Sequence, residues 1–310
     1  MMQYKFINYE MKKIPDSILK FSDIDTLNNI IKSKIERKMK LTTDKDIAEK
    51  FMKNADHNTK NINDYFIHTV TAGKGKFILS HIDFNSVHSN AETFVRIAAK
   101  NFDIISYKKN TELLNILKEK YCNFRLKYIL FFETAKTDVP DLFEKNDLYV
   151  AGHINTIKRN PKPDRYDEVR LEKMNDLSFF EQYLKEYKRV IKENENAKME
   201  NIIPKEGFEW YLSTGIVYKI IIYDEYAGIF AVKKMNMEFL TGYFVIEKIL
   251  FKKFRGKNFG AAVERNFTDN LDAIDNEFIY GTIHSINKPS LKSALKCGRF
   301  IAGCDYKLYF

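Results

Sequence analysis

Lys252-Lys253-Phe254-Arg255-Gly256-Lys257-Asn258-Phe259-Gly260-Ala261 is the stretch that decides how this chain is read. Ahead of it, residues 241–251 form a long strand-like run; behind it, apolar residues recur at helical spacing from 259 to about 273. A strand that turns through glycine and basic residues into a helix N-terminus aims backbone N–H groups, a helix dipole and cationic side chains at one point. That combination suits a phosphate or pyrophosphate. The bland reading of the same residues is a tight turn carrying solvated lysines.

A second block supports the phosphate reading. Strand-like residues 277–284, with Phe278-Ile279-Tyr280-Gly281-Thr282-Ile283-His284, lead into Asn287-Lys288-Pro289-Ser290, a short helix over 291–296, and Cys297-Gly298-Arg299-Phe300. In this order and spacing the two blocks resemble the GNAT superfamily of acyl-CoA-dependent N-acyltransferases. There the first block reads Arg/Gln-x-x-Gly-x-Gly/Ala, and the second reads Asn, a short helix, then Gly-Phe. The resemblance implies that Arg255, Gly256, Lys257, Asn258, Phe259, Gly260 and Ala261 cradle the pyrophosphate of acetyl-CoA or another acyl-CoA. It also implies that the pantetheine amides pair with backbone near Leu250 and Phe251, and that Asn287 and Ser290 contact the pantetheine or phosphate region.

Three residues depart from the family pattern. Asn258 stands at the first pattern glycine, where asparagine tolerates the left-handed backbone and keeps its N–H. Arg299 is inserted between Gly298 and Phe300, which suggests an altered turn into the last strands. Ala294 lies four residues before Gly298, where many family members place the tyrosine that protonates the departing thiolate, so the usual general acid is missing.

Acyl transfer to an amine needs a base and a proton source. Glu247 interrupts the apolar run Tyr243-Phe244-Val245-Ile246-Glu247-Lys248-Ile249-Leu250 where the resemblance places the gap between two parallel strands. It is a candidate base, or equally a surface charge paired with Lys248. His284, at the end of the neighbouring strand, is a second candidate, since imidazoles exchange protons near neutrality; a structural histidine is the alternative. Tyr306 replaces the absent tyrosine only if the last strands fold back toward the thiol. Glu206, Glu209, Trp210 and Tyr211 lie in the segment that the resemblance sets over the acceptor, or else form an amphipathic helix with Trp210 in the core.

The chain has 310 residues, about twice a usual domain, and 45% are hydrophobic, enough for two cores. A linker at Lys158-Arg159-Asn160-Pro161-Lys162-Pro163-Asp164 divides it near the middle. We therefore expect an α/β domain over 1–158, a linker over 159–167, and a GNAT-like acyl-CoA-binding domain over 168–310. The fold class expected is mixed-sheet α/β. In the second half the elements run βααβββαβαβ, the family's core order. A strand over 168–173, helices over 177–193 and 205–212, and strands over 216–223, 226–233 and 241–251 lead to the cradle. A helix over 259–273, a strand over 277–284, the short helix and a final strand over 306–310 complete the order. The first half has a similar rhythm: a strand over 4–9, helices over 23–38 and 44–53, strands over 65–71, 76–84 and 93–107, a helix over 111–119, then strands over 126–133 and 148–157. It reads as a degenerate copy, or as a generic α/β domain. Lys108-Lys109-Asn110 stands where a cradle would be, so no cofactor is expected there.

The remaining signals are weak. Gly73-Lys74-Gly75-Lys76 joins two strands and reads as a hairpin turn. His81, Asp83 and His88 lack the spacing of a metal site, and no metal is expected. Cys122, Cys297 and Cys304 form neither a ligand set nor an even-numbered disulfide framework, and they carry no assigned role. The net charge is +9 and the pI about 9.1, yet the lysines are interspersed with glutamates, which points to solvated helix faces; no nucleic-acid partner is expected. No run approaches the roughly 20 apolar residues of a membrane span, and the first residues lack the pattern of a secretory signal. A cytoplasmic N-acyltransferase acting on an amine-bearing small molecule or peptide is the leading expectation; the alternative is a non-catalytic acyl-CoA-binding or scaffolding protein.

Overall fold

The computed structural model describes residues 2–54, 61–85, 92–105, 110–193, 202–272 and 275–310. The elements before the central helix are α1 (Met2–Lys13), α2 (Asp16–Leu19), α3 (Ile24–Lys40), α4 (Lys45–Asn54), β1 (His68–Thr71), β2 (Phe77–Asn85), β3 (Glu92–Lys100), α5 (Asn110–Lys120), β4 (Leu126–Thr134) and β5 (Glu144–His153). From there the chain forms α6 (Ile154–Arg159), β6 (Val169–Met174), α7 (Phe180–Glu193), α8 (Lys205–Thr214), β7 (Ile216–Ile222), β8 (Glu225–Met237) and β9 (Leu240–Leu250). It closes with α9 (Phe259–Asp269), β10 (Phe278–His284), α10 (Lys288–Lys296) and β11 (Phe300–Tyr309). The mixed α/β class read from the sequence is the class observed.

Two compact units are present, Met1–Asn146 together with Gly303–Phe310, and Asp147–Ala302. The boundary read from the prolines differs. Residues 159–167 fall inside the second unit, because Arg265 on α9 donates to the carbonyls of Asn160 at 2.7 Å and Lys158 at 2.7 Å. A proline-rich stretch whose carbonyls serve a buried arginine is anchored, not a linker.

In the first unit β1, β2 and β3 pair antiparallel, and β4 lies parallel to β3 across α5. The chain's last strand then pairs antiparallel with β4, from Gly303 opposite Thr134 to Tyr309 opposite Tyr128. Residues 4–9 form part of α1, not a strand. Strand alternation would put Tyr4 and Phe6 on one face, whereas Tyr4 is 67% exposed and Phe6 fully buried. The helix packs on α3, with Gln3 donating to Glu36 at 3.1 Å and Lys34 to Glu10 at 2.6 Å. Gly73 to Lys76 form the expected turn between β1 and β2, where Lys76 N–H donates to Gly73 C=O at 3.1 Å. His81 lies against the Phe51 ring and Asp83 pairs with Arg96 at 2.8 Å; His88, Lys108 and Lys109 lie outside the described residues. No group of three His, Cys, Asp or Glu placed to hold a metal occurs among the described residues.

In the second unit the strand order is β5-β10-β9-β8-β7-β6, antiparallel throughout except for the parallel β9–β10 pair. α9 covers one face, its Phe259, Ala262, Val263 and Phe267 packing on Ile220, Phe230 and Val232. α7 and α8 cover the other, where Phe179, Tyr183 and Phe208 meet Val217, Ala231 and Ile249. No helix among the described residues is long and apolar enough to cross a membrane.

Candidate functional site

β9 and β10 pair only from Gly242–Phe278 to Phe244–Tyr280. Beyond that point β10 follows β5 as far as His284, while β9 follows β8 as far as Leu250, so the two parallel strands separate into a fork. A bulge accompanies the separation: Val245 and Glu247 pair with Val232 and Ala231, leaving Ile246 unpaired. A bulge bends a strand and re-aims its side chains. Here Glu247 reaches α7, where Tyr183 donates to its Oε2 at 3.1 Å, while the next residue, Lys248, reaches α9.

Strand alternation assigns the backbone groups along the fork. Phe251 N–H donates to Ala227 C=O at 2.7 Å, so Phe251, Ile249 and Glu247 turn their main chain to β8, and Lys248 and Leu250 turn theirs to the fork. Two fork-facing groups are engaged: Lys248 N–H by Glu247 Oε1 at 2.8 Å, and Leu250 C=O by Arg255 Nε at 2.5 Å. The Leu250 N–H and Lys248 C=O face an edge with no partner strand among the described residues.

The chain leaves β9 through a 3-10 turn, Lys252–Phe254, and enters α9 through two left-handed residues, Gly256 at φ 73° and Asn258 at φ 66°. Gly256 is needed for its backbone, since a Cβ there would meet nothing within 4 Å. Asn258 occupies the N-cap position without capping; its Oδ1 instead accepts from Lys296 at 3.1 Å. The first N–H groups of α9, those of Phe259, Gly260 and Ala261, are therefore without a side-chain acceptor among the described residues, and the first turn holds no acidic residue. Gly260 serves packing: a Cβ would lie 2.4 Å from Ser293 Oγ on α10.

The basic residues of the cradle are mostly committed. Lys252 pairs with Glu193 at 2.5 Å, Lys253 with Glu225 at 2.5 Å, and Arg255 with buried Glu186 at 3.4 Å. Lys257 alone of this cluster has no ion pair among the described residues. Asn287 caps α10, its Oδ1 accepting from Ser290 N–H at 3.2 Å.

On the α9 side of the fork lies a buried charge cluster that sequence reading missed. Glu264 accepts from Lys248 and, at 3.0 Å, from Arg299; Lys248 also donates to Ser293 at 2.9 Å, and Arg299 to Val150 C=O at 2.7 Å. Burial would raise the Glu264 carboxyl, but Lys248 and Arg299 together hold it down at about 2. Arg299 is thus an internal counter-ion rather than a mere alteration of a turn. The only sequence signal was an arginine interrupting Gly-Phe. Cys297 is packed in the same core, its thiol pushed up to about 12, first by burial and then by Glu264.

Glu247 and His284 come from opposite arms of the fork. Tyr306 lies in the first unit on the strand paired with β4, stacked on Phe131, its phenol pushed up to about 12 by burial. α8 buries Phe208, while Trp210 is 50% exposed beneath Lys233 Nζ, which lies 3.4 Å from its ring centroid, so Trp210 is not a core residue.

No family model matches the chain, and no curated protein matches its sequence. Solved structures resemble it at low identity. A functionally unknown conserved protein from Staphylococcus epidermidis is 10% identical over 81% of this chain and 97% of that one, with a TM-score of 0.46. A GNAT-family acetyltransferase from Colwellia psychrerythraea is 11% identical over 75% and 85%, with a TM-score of 0.46. A tandem GNAT protein of the clavulanic acid biosynthesis pathway is 8% identical over 76% and 82%, with a TM-score of 0.43. TM-scores below 0.5 assign neither substrate nor reaction. The element order, the parallel β9–β10 pair and its fork, and the strand-to-helix turn of the second unit follow the order expected from the sequence resemblance.

Proposed function

We propose that the second unit is an acyl-CoA-dependent N-acyltransferase that transfers an acetyl or other acyl group from acyl-CoA to a primary amine by direct attack. The observation that carries the reading is the fork between β9 and β10 opening onto the uncapped N-terminus of α9. The N–H groups of Phe259, Gly260 and Ala261 hold the pyrophosphate, with Gly256 and Asn258 shaping the turn and Lys257 supplying the free cation. Leu250 N–H pairs with a pantetheine amide, and Asn287 and Ser290 contact the pantetheine or phosphate region. Phe251 and Arg255 act indirectly: Phe251 N–H ties the strand end to β8, and Arg255 fixes the Leu250 carbonyl and the turn through Glu186.

Glu247 is the general base. Its carboxylate, held by Tyr183 and by the Lys248 N–H, takes the proton of the attacking amine on the α7 and α8 face, which makes that face the acceptor side. A non-catalytic acyl-CoA-binding protein is the second reading, favoured by Ala294 where many members of the resembled family have a tyrosine. Calorimetry with acetyl-CoA tests binding, and thiol release across an amine library separates the two readings. Lys257→Glu, on an exposed side chain, weakens acetyl-CoA about tenfold in this account. Unchanged affinity contradicts the cradle. Gly260→Asp is a poor probe, because any Cβ there strikes Ser293.

A further inference from the structure

The two ring nitrogens of His284 are in different situations. Nδ1 accepts the Ile286 N–H at 3.4 Å, so in the neutral ring the proton sits on Nε2. Nε2 is buried and has no hydrogen-bond partner among the described residues. A buried N–H without an acceptor is rare and costs free energy, which makes it a place where a ligand atom is expected.

The fold says which ligand atom. Ile279 packs in the core beneath α9, and a Cβ on Gly281 would lie 3.4 Å from Arg299, so the odd-numbered residues of β10 face α9. Tyr280, Thr282 and His284 consequently face the other way, toward the side on which Glu247 meets Tyr183. One arm of the fork thus offers a carboxylate that already has two donors, and the other offers a donor that has no acceptor.

We infer that His284 is not a base but the hydrogen-bond donor to the carbonyl oxygen of a thioester lying in the fork. The inference rests on the acyl-CoA reading above. As the amine nitrogen bonds to the carbonyl carbon, Glu247 accepts the amine proton and Nε2–H of His284 carries the negative charge that develops on oxygen. When the carbonyl re-forms, the C–S bond breaks and its electron pair leaves on sulfur. Glu247 gives up its proton to water, and water protonates the thiolate.

The test needs no known acceptor. Long-range proton–nitrogen NMR on the histidine-labelled full chain, with His284→Gln to assign the signal, reads the tautomer and the Nε2 proton. The probes are desacyl CoA and the ketone analogue in which a methylene replaces the thioester sulfur. Expected are an Nε2-protonated ring in the free protein, a downfield move of that proton with the ketone analogue, and none with desacyl CoA. An Nδ1-protonated ring, or no response at saturating analogue, overturns the proposal while leaving the acyl-CoA reading standing. If calorimetry finds neither probe bound, the acyl-CoA reading itself falls and this proposal with it. Once an acceptor is found, His284→Gln, which keeps an N–H donor, stays within about tenfold of wild type, whereas His284→Leu loses about a hundredfold in kcat with KM for acyl-CoA little changed. Equal losses in the two variants, or disappearance of the acid limb of the pH–rate profile in His284→Gln, contradict it.

Discussion

The two units each contain a parallel strand pair that separates, and the way each opening is filled differs. In the first, β3 and β4 pair no further than Ile97 and Phe131, and the bulge falls on Ala98, between Ile97 opposite Ser80 and Ala99 opposite Leu79. Lys38 from α3 donates to the Ala98 carbonyl, and buried Lys100 crosses to Glu133 and, at 2.9 Å, to the Phe132 carbonyl. Lysines thereby satisfy the groups along that opening from within. In the second, the bulge at Ile246 lies two residues past the last pair, against one in the first, and the edge keeps the Leu250 N–H open and leads to a glycine turn and an uncapped helix. Each unit thus carries a bulge close to the point where its parallel pair ends. Under the proposed function, the side chains at the opening decide which of them receives a ligand.

Deleting residues 303–310 removes the strand that pairs with β4 and buries Cys304, Tyr306 and Leu308. At roughly 1.5–3 kcal/mol for each large buried side chain, the loss approaches the whole stability of a domain. Circular dichroism should show the first unit unfolded; a cooperative melt like that of the full chain means β11 is not integral to it. Lys100→Met leaves Glu133 buried without its cation and is expected to cost about 3–5 kcal/mol in urea unfolding, with acetyl-CoA affinity unchanged. Altered affinity would mean that the first opening takes part in binding.

Glu264 supplies a pH signature of the second unit. Its folded value near 2 lies below its ordinary 4.5, so its contribution, about 3 kcal/mol, is present above pH 4.5 and drains away as pH falls toward 2. Glu264→Gln should be less stable at neutral pH and should lack that acid-dependent loss; an unchanged acid transition contradicts the assignment. The smallest effect is that of Tyr183→Phe, which removes a donor from Glu247 at a cost of about 1 kcal/mol. If Glu247 is the base, the acid limb of kcat/KM moves up by as much as about one pH unit. An unmoved limb places the base elsewhere.

What was legible in the sequence was local. The run from 241 through the cradle into the 259 helix announced itself by pattern and by Gly256, and α3, α5 and β4 by their apolar spacing. Pairings over long separations were not legible. Nothing in residues 300–309 says that they complete a sheet with β4, and nothing near Arg299 points to Glu264, 35 positions away. Arg255 read as a phosphate ligand because its partner, Glu186, lies 69 positions earlier. Tyr4 and Phe6 alternate as a strand does, yet the helix prevailed because it buries Phe6 and Ile7 against α3.

The central claim is that one opening binds acyl-CoA and the other does not. Isothermal titration of the full chain with acetyl-CoA measures this directly. One site per chain, weakened about tenfold by Lys257→Glu and untouched by Lys100→Met, is the predicted result; no binding, or two sites per chain, would contradict it.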